Sequence, residues 1–290
     1  MKQRIQKVLA DVGLDSRRAI EQLVLDGRIT VNGELVTRLP VMVDPERDQM
    51  TIDGDPVRMP KPQEKRPYVY VLMNKPKGVY CTNVAQGEQK RCIDLLPPDF
   101  DYRVYPVGRL DADSRGLLIL TDDGDLTQQL THPRFGVPKT YTATVAGYIT
   151  PETIGQLQKG IWLADDEGGG GFRTAPANIK ILRRSGSNTV LQITIKEGRN
   201  RQIRRMFARV GHKMRDLTRI KLGPIELGSL KPGQSRLLTE KEVARLRKAV
   251  QPREVPPEIV RAKAKEKRSA AAAARRAARP PMRRGRRVTE

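Results

Sequence analysis

The stretch Val107-Gly108-Arg109-Leu110-Asp111, followed closely by Gly116-Leu117-Leu118-Ile119-Leu120-Thr121, sets a carboxylate on a short polar loop just ahead of an apolar run of strand length. A run of four to eight apolar residues bounded by turn signals reads as a buried strand. Asp111 stands at the mouth of that strand, with Arg109 two residues before it to hold its charge. The immediate neighbourhood supports two readings, a side chain that caps a turn or a carboxylate able to act as a nucleophile. Nothing within ten residues decides between them.

Working outward, residues 68–247 mix strand-like and helix-like patterns. Strand candidates fall at 68–73, 117–121, 140–145 and 190–195, and helix candidates at 126–130, 151–159 and 201–210. That mixture predicts an α+β domain with a mainly antiparallel mixed sheet and flanking helices. Residues 1–60 read as a smaller unit. Ile5, Val8, Leu9 and Val12 recur at helical spacing up to Gly13, and Ser16 caps a second helix that carries Ile20, Leu23 and Val24 and ends at Gly27. Ile29 and Val31, the turn Asn32-Gly33, then Leu35 and Val36 read as a hairpin, and a short strand at 50–52 stops at Asp53-Gly54. Prolines 56, 60, 62 and 67 mark the connection, with the linker set at 61–67. A unit this small buries little apolar surface by itself.

Charge defines the partner class. The chain has 55 Lys and Arg against 33 Asp and Glu, a formal charge of +22, with 4% aromatic residues. Such a balance draws a polyanion, and counterion release then supplies much of the affinity. No basic helix carries the apolar face that a membrane surface would require, and no run is long and apolar enough to span one. The N-terminus lacks the apolar core of a signal peptide, so a cytosolic protein is expected. Residues 248–290 are expected to form a disordered basic tail. Thirteen basic and four acidic residues between Gln251 and Glu290 supply +9 of the charge, in a composition poor in core formers and suited to a phosphate-binding arm.

Several candidates are read as structural. Cys81 and Cys92 are taken as packing residues, and His132 and His212 as satisfying local hydrogen bonds. Asp113, Asp122, Asp123 and Asp125 crowd the region after Asp111 but do not have EF-hand spacing, and turn chemistry accounts for them. Residues 168–171 form a glycine run suited to a hairpin tip. No metal site, cofactor fingerprint or internal repeat is found.

Two sets of motifs carry a family resemblance. Asp15-Ser16-Arg17-Arg18-Ala19 and Gly27-Arg28-Ile29-Thr30-Val31-Asn32-Gly33 resemble the S4-type RNA-binding domain. Asn74-Lys75-Pro76-Lys77-Gly78, Gly108-Arg109-Leu110-Asp111, Lys139-Thr140-Tyr141 and the run from Glu197 to Met206 follow in order. Together they resemble the pseudouridine synthases of ribosomal RNA that carry an S4-type domain ahead of the catalytic one. The resemblance implies a cofactor-independent isomerase with Asp111 as central carboxylate, Tyr141 stacked on the target base, and Arg204 paired with Asp111. An arginine beside a buried carboxylate favours its ionised form. RNA contacts are implied for Arg4, Lys7, Arg17, Arg18 and Arg28 in the first unit, and for Lys75, Arg109, Arg199, Arg201 and Arg205 in the second. On a helix, Arg201, Arg204 and Arg205 would share one face.

The chemistry suits these residue types. Converting uridine to pseudouridine breaks the bond from the anomeric carbon to N1, turns the base and joins the sugar to C5, with no redox step or donor. A carboxylate can start this by adding to the substrate or by removing a proton, and the residues leave both routes open. The stretch from Gly116 to Pro133 resembles the branch acting on large-subunit RNA. Small-subunit RNA is the alternative target, and a non-catalytic RNA-binding or ribosome-assembly factor is the alternative class. A monomer is expected.

Overall fold

Ser16 accepts a hydrogen bond from the Ala19 amide at 3.2 Å and so starts the second helix where the sequence reading places it. The computed structural model describes residues 1–60, 66–165 and 170–251. Residues 61–65 of the linker, residues 166–169 with the first half of the glycine run, and the tail from 252 onward therefore lie outside the described residues. In the first unit β1 (Gln3–Arg4) leads into α1 (Ile5–Asp11) and α2 (Arg17–Leu25), which pack through Ile5, Val8, Leu9, Ile20 and Val24. β2 (Ile29–Val31) turns into β3 (Glu34–Val36) through Asn32 and Gly33, both at positive φ, as a tight hairpin requires. β4 (Met42–Val43), absent from the sequence reading, pairs with β1. β5 (Met50–Ile52) and β6 (Asp55–Pro56) complete a small antiparallel sheet in the order β3-β2-β5-β6.

The larger part is built on one mixed sheet. Its main strands are β7 (Tyr70–Lys75), β9 (Arg115–Thr121), β10 (Lys139–Ala146), β13 (Asn178–Ser185), β14 (Asn188–Ile195), β15 (Met214–Leu222) and β17 (Ser235–Leu237), arranged β13-β14-β10-β15-β9-β7-β17. Short strands β8 (Tyr105–Pro106) and β16 (Ile225–Glu226) pair with β9 and β15, while β11 (Trp162–Ala164) and β12 (Gly171–Arg173) form a separate hairpin. Only the β9–β15 pairing is parallel; the other pairings of this sheet are antiparallel. β9 reads as continuously apolar because both its faces are covered. Leu117 and Ile119 face Tyr70, Leu72, Leu126 and Leu246, while Leu118 and Leu120 face Val71, Met73, Cys92 and Val104.

Helices α3 (Gly124–Thr131) and α6 (Glu240–Val250) cover one part of this sheet, and α4 (Pro151–Lys159) and α5 (Gln202–Arg209) another. Further details differ from the sequence reading. Val250 is buried against the same cluster as Leu246, so the folded part extends past 247 and the tail starts later than 248. Arg201 lies outside α5, as its N-cap in the left-handed region at φ 43°. β13 and β15 were not expected, because their alternating charged residues dilute the apolar signal. The small unit does not stand alone either: Lys7 pairs with Asp125 at 3.3 Å, and Arg103 donates to the Gly13 carbonyl at 2.9 Å. Among the described residues, no helix is long and apolar enough to cross a membrane.

Candidate active site

Backbone contacts pin the Asp111 loop before any charge is considered. Val107 donates its amide to Ile119 at 2.8 Å, which fixes the loop to β9, and Gly78 donates to Ala112 at 2.8 Å. Gly108 takes φ +71°, and a Cβ there would meet the Thr131 methyl at 3.3 Å. The Leu110 amide donates to the Cys81 sulfur at 3.4 Å. The hydrogen bond between the Cys81 and Cys92 thiols holds the Cys81 pKa down, so this cysteine anchors the loop as well as packing. Ser114 closes the turn by donating to the Asp111 carbonyl at 3.0 Å.

The charge partners of Asp111 come from the far end of the domain. Arg201 and Arg204 approach its carboxylate at 3.6 and 3.7 Å, close enough for attraction and beyond hydrogen-bond length. Both are held by Asp113, Arg201 at 3.1 Å and Arg204 at 3.3 Å, and Arg204 also donates to the Asp113 carbonyl and the Ser114 hydroxyl. Asp113 was read as a turn residue; it anchors the arginine pair and leaves the Asp111 oxygens open to a ligand. Sequence distance concealed this, since residues nearly ninety positions apart meet only in the fold. Arg109, expected to hold Asp111, is exposed at the rim and forms no ion pair among the described residues.

An open cleft of about 790 Å³ lies over this loop, lined by Asp111, Lys139, Tyr141, Arg199, Arg204 and Arg219 among others. Tyr141 is 7% exposed, on the face of β10 that packs inward. Two residues before it, Lys139 has its pKa pushed down to about 8 by burial and by the neighbouring Arg219 guanidinium. Asp111, Tyr141 and Arg204, expected together from the sequence, all line this cleft. The sequence reading named Lys139 only as part of a motif and missed Arg219 altogether.

Other basic residues divide into three groups. Lys75 was expected at RNA, but its side chain is fully buried and Nζ donates to the Pro76 and Val79 carbonyls at 2.9 and 2.7 Å. It braces the turn after β7 and cannot reach a phosphate. Arg199 and Arg205 stack on Phe172 of β12 at 3.9 and 5.9 Å, so Arg205 points away from Arg201 and Arg204 rather than sharing their face. In the first unit Arg4, Arg17 and Arg18 are exposed, and Arg4, Lys7 and Arg17 line one shallow depression. Lys7 is shared between Asp11 and Asp125, and Arg28 forms a fork with Asp53. Asp123 caps α3 and accepts from the Tyr70 hydroxyl at 2.6 Å; His132 accepts from the nearby Arg134 amide, whereas His212 pairs with the sequence-distant Ala146 carbonyl of β10.

Comparison with known proteins bears on this arrangement. A family model described as RNA pseudouridylate synthase matches residues 69–209, and an S4 domain model matches residues 3–48. An Aquifex aeolicus (strain VF5) protein named "Uncharacterized RNA pseudouridine synthase" is 45% identical over 257 residues, covering 88% of this chain and 98% of that protein. The chain belongs to the RNA pseudouridine synthase family. Within this family, the "Ribosomal large subunit pseudouridine synthase B" of Bacillus subtilis (strain 168) is 40% identical over 247 residues, with 84% of this chain and 96% of that protein covered. A crystal structure titled as a pseudouridylate synthase superimposes with a TM-score of 0.59 at 30% identity, covering 84% of this chain and 99% of its own. The synthase fold thus follows an S4 domain on one chain, and RNA is the partner class.

Proposed function

We propose that this pseudouridine synthase isomerises a specific uridine of large-subunit ribosomal RNA, with Asp111 as the central catalyst. The observation that carries the reading is the placement of the Asp111 carboxylate, one-third exposed at the cleft between two arginines that stay beyond hydrogen-bond length. It has charge stabilisation together with open oxygens, which a reacting carboxylate needs and a turn cap does not. Tyr141 offers a flat face to a base extruded from its stack, returning part of the unstacking cost. Arg204, largely buried and fixed by Asp113 and Ser114, positions the carboxylate. The exposed Arg4, Arg17 and Arg18 supply backbone contacts distant from the chemistry.

The large-subunit assignment is supported by the named Bacillus relative and by the stretch from Gly116 to Pro133. Replacing Asp111 tests the chemistry. Asp111→Asn should lower isomerisation by more than about a thousandfold while RNA affinity stays within a few-fold. Pseudouridine formation at the original rate would return Asp111 to a turn cap and assign the chemistry to another residue, whereas a wild type that forms no pseudouridine would favour the non-catalytic reading. Pseudouridine maps of ribosomal RNA from cells with and without the gene identify the subunit, and a missing modification in small-subunit RNA would move the target there.

A further inference from the structure

The cleft contains a second buried cation to which the chemistry above gives no task. Arg219 is 2% exposed. Its Nε donates to the Leu117 carbonyl at 2.7 Å, whereas Nη2 is buried without a hydrogen-bond partner among the described residues. A guanidinium withdrawn from water and left incomplete is unfavourable, and such a group calls for an explanation. Its placement supplies one.

Along β10 and β15 the register runs Lys139 to Leu222 and Thr140 to Lys221, then shifts so that Tyr141 faces Arg219. Residues directly opposed across an antiparallel pair share a face. The extra residue, Ile220, therefore puts Arg219 beside Tyr141 while Leu222 stays beside Lys139. Without that bulge Ile220 would oppose Tyr141 and Arg219 would turn to the other side of the sheet. Gly116 on the parallel neighbour makes room: a Cβ there would stand 2.3 Å from the Arg219 carbonyl oxygen.

We propose that Arg219 donates from Nη2 to a carbonyl oxygen of the extruded uracil and stabilises the ring while it is detached from the sugar. This rests on the isomerase reading given above. When the bond from the anomeric carbon to N1 breaks, its electron pair goes to the ring, and the negative charge spreads over N1 and the two carbonyl oxygens. The ring must turn before C5 bonds to that carbon, after which the C5 proton leaves to a base and N1 takes up a proton. Turning uracil about the axis through N3 and C6 exchanges N1 with C5 and O2 with O4. A donor fixed on the sheet therefore meets a carbonyl oxygen both before and after the turn. The strand supplies such a fixed donor, since Nε is already tied to Leu117.

The test uses the full-length protein and a transcript of the ribosomal RNA segment that it modifies, with uridine, 2-thiouridine or 4-thiouridine at the target. Sulfur is a weaker acceptor than oxygen. In single-turnover assays at saturating enzyme, Arg219→Gln should slow uridine isomerisation by about a hundredfold, the scale of one lost donor to a developing oxyanion, with RNA affinity kept. Arg219→Lys should recover part of the rate. Either sulfur should slow the wild type by more than about tenfold, and it should add little to Arg219→Gln because the contact is already gone. Equal slowing of wild type and variant by sulfur, or an Arg219→Gln rate equal to wild type, would overturn the assignment. Should Arg219→Gln fail to fold, Arg219→Lys takes its place, and a wild type indifferent to both sulfurs overturns the proposal without any variant. A wild type unable to isomerise any ribosomal uridine would instead refute the function on which this rests.

Discussion

At the scale of single residues, the site depends on charges kept where water is scarce. Lys139 illustrates the cost, since burial and Arg219 push its pKa down to about 8 from the ordinary lysine range. Between pH 8 and about 10.5 the unfolded chain binds a proton that the folded one has released, so this residue's contribution to stability rises across that window. Below pH 8 the charged amine carries its full desolvation cost. We therefore expect Lys139→Met to melt at a higher temperature than wild type at pH 7, with the gap closing toward pH 10. Activity should move the other way: if the amine's charge serves the bound RNA, the isomerisation rate falls above about pH 8, and Lys139→Arg shifts that fall upward. A rate flat to pH 10 in the wild type would separate Lys139 from the chemistry. Asp111 stood out only through the ordered motifs taken together, and Asp113 did not, because its contacts are to two arginines that sequence places far away.

Elements of secondary structure were legible wherever one periodicity dominated. α4 was bounded as expected, and β9, β10 and β14 were found within two residues at each end. β15 was missed because Arg215, Asp216, Arg219 and Lys221 mask its pattern; only in the sheet do Asp216 and Arg219 find their separate surroundings. α6 carries a start signal in the sequence itself. Thr239 and Glu242 form a capping box, with the Thr239 amide donating to the Glu242 carboxylate at 2.9 Å and the Glu242 amide to the Thr239 hydroxyl at 3.3 Å. The Arg236 hydrogen bond holds the Glu242 pKa down at about 2. A depressed carboxylate stabilises above its unfolded pKa near 4.5 and loses that contribution as pH falls toward 2. Glu242→Gln should therefore lower the melting temperature at pH 7, with the difference from wild type shrinking between pH 4.5 and 2. The β9–β15 contact is more exacting. Gly116→Ala places a Cβ 2.3 Å from a backbone oxygen at φ +106°, and we expect a loss of about 2 kcal/mol or more in denaturant melts.

Across the whole molecule, the buried core reaches Val250, and +9 of the +22 formal charge lies beyond it. Truncation after Arg247 removes Val250 from the cluster it shares with Leu246, which should cost about 1–2 kcal/mol of stability. Truncation after Val250 should leave the melting temperature unchanged, yet weaken RNA binding and flatten its salt dependence, because +9 of the charge goes with the removed residues. An unchanged salt slope would show that the tail does not meet phosphate. Composition by itself pointed to a polyanionic partner, and the ordered motifs determined the family. Those are local properties, written in residue types and their spacing. Tertiary structure decided which cations serve which task. Lys75 braces a turn, Arg201 and Arg204 flank Asp111, and Arg219 stands beside Tyr141 through one bulged residue. A sequence fixes how much charge a chain carries, but burial and register decide what each charge can touch, and both exist only once distant strands have paired.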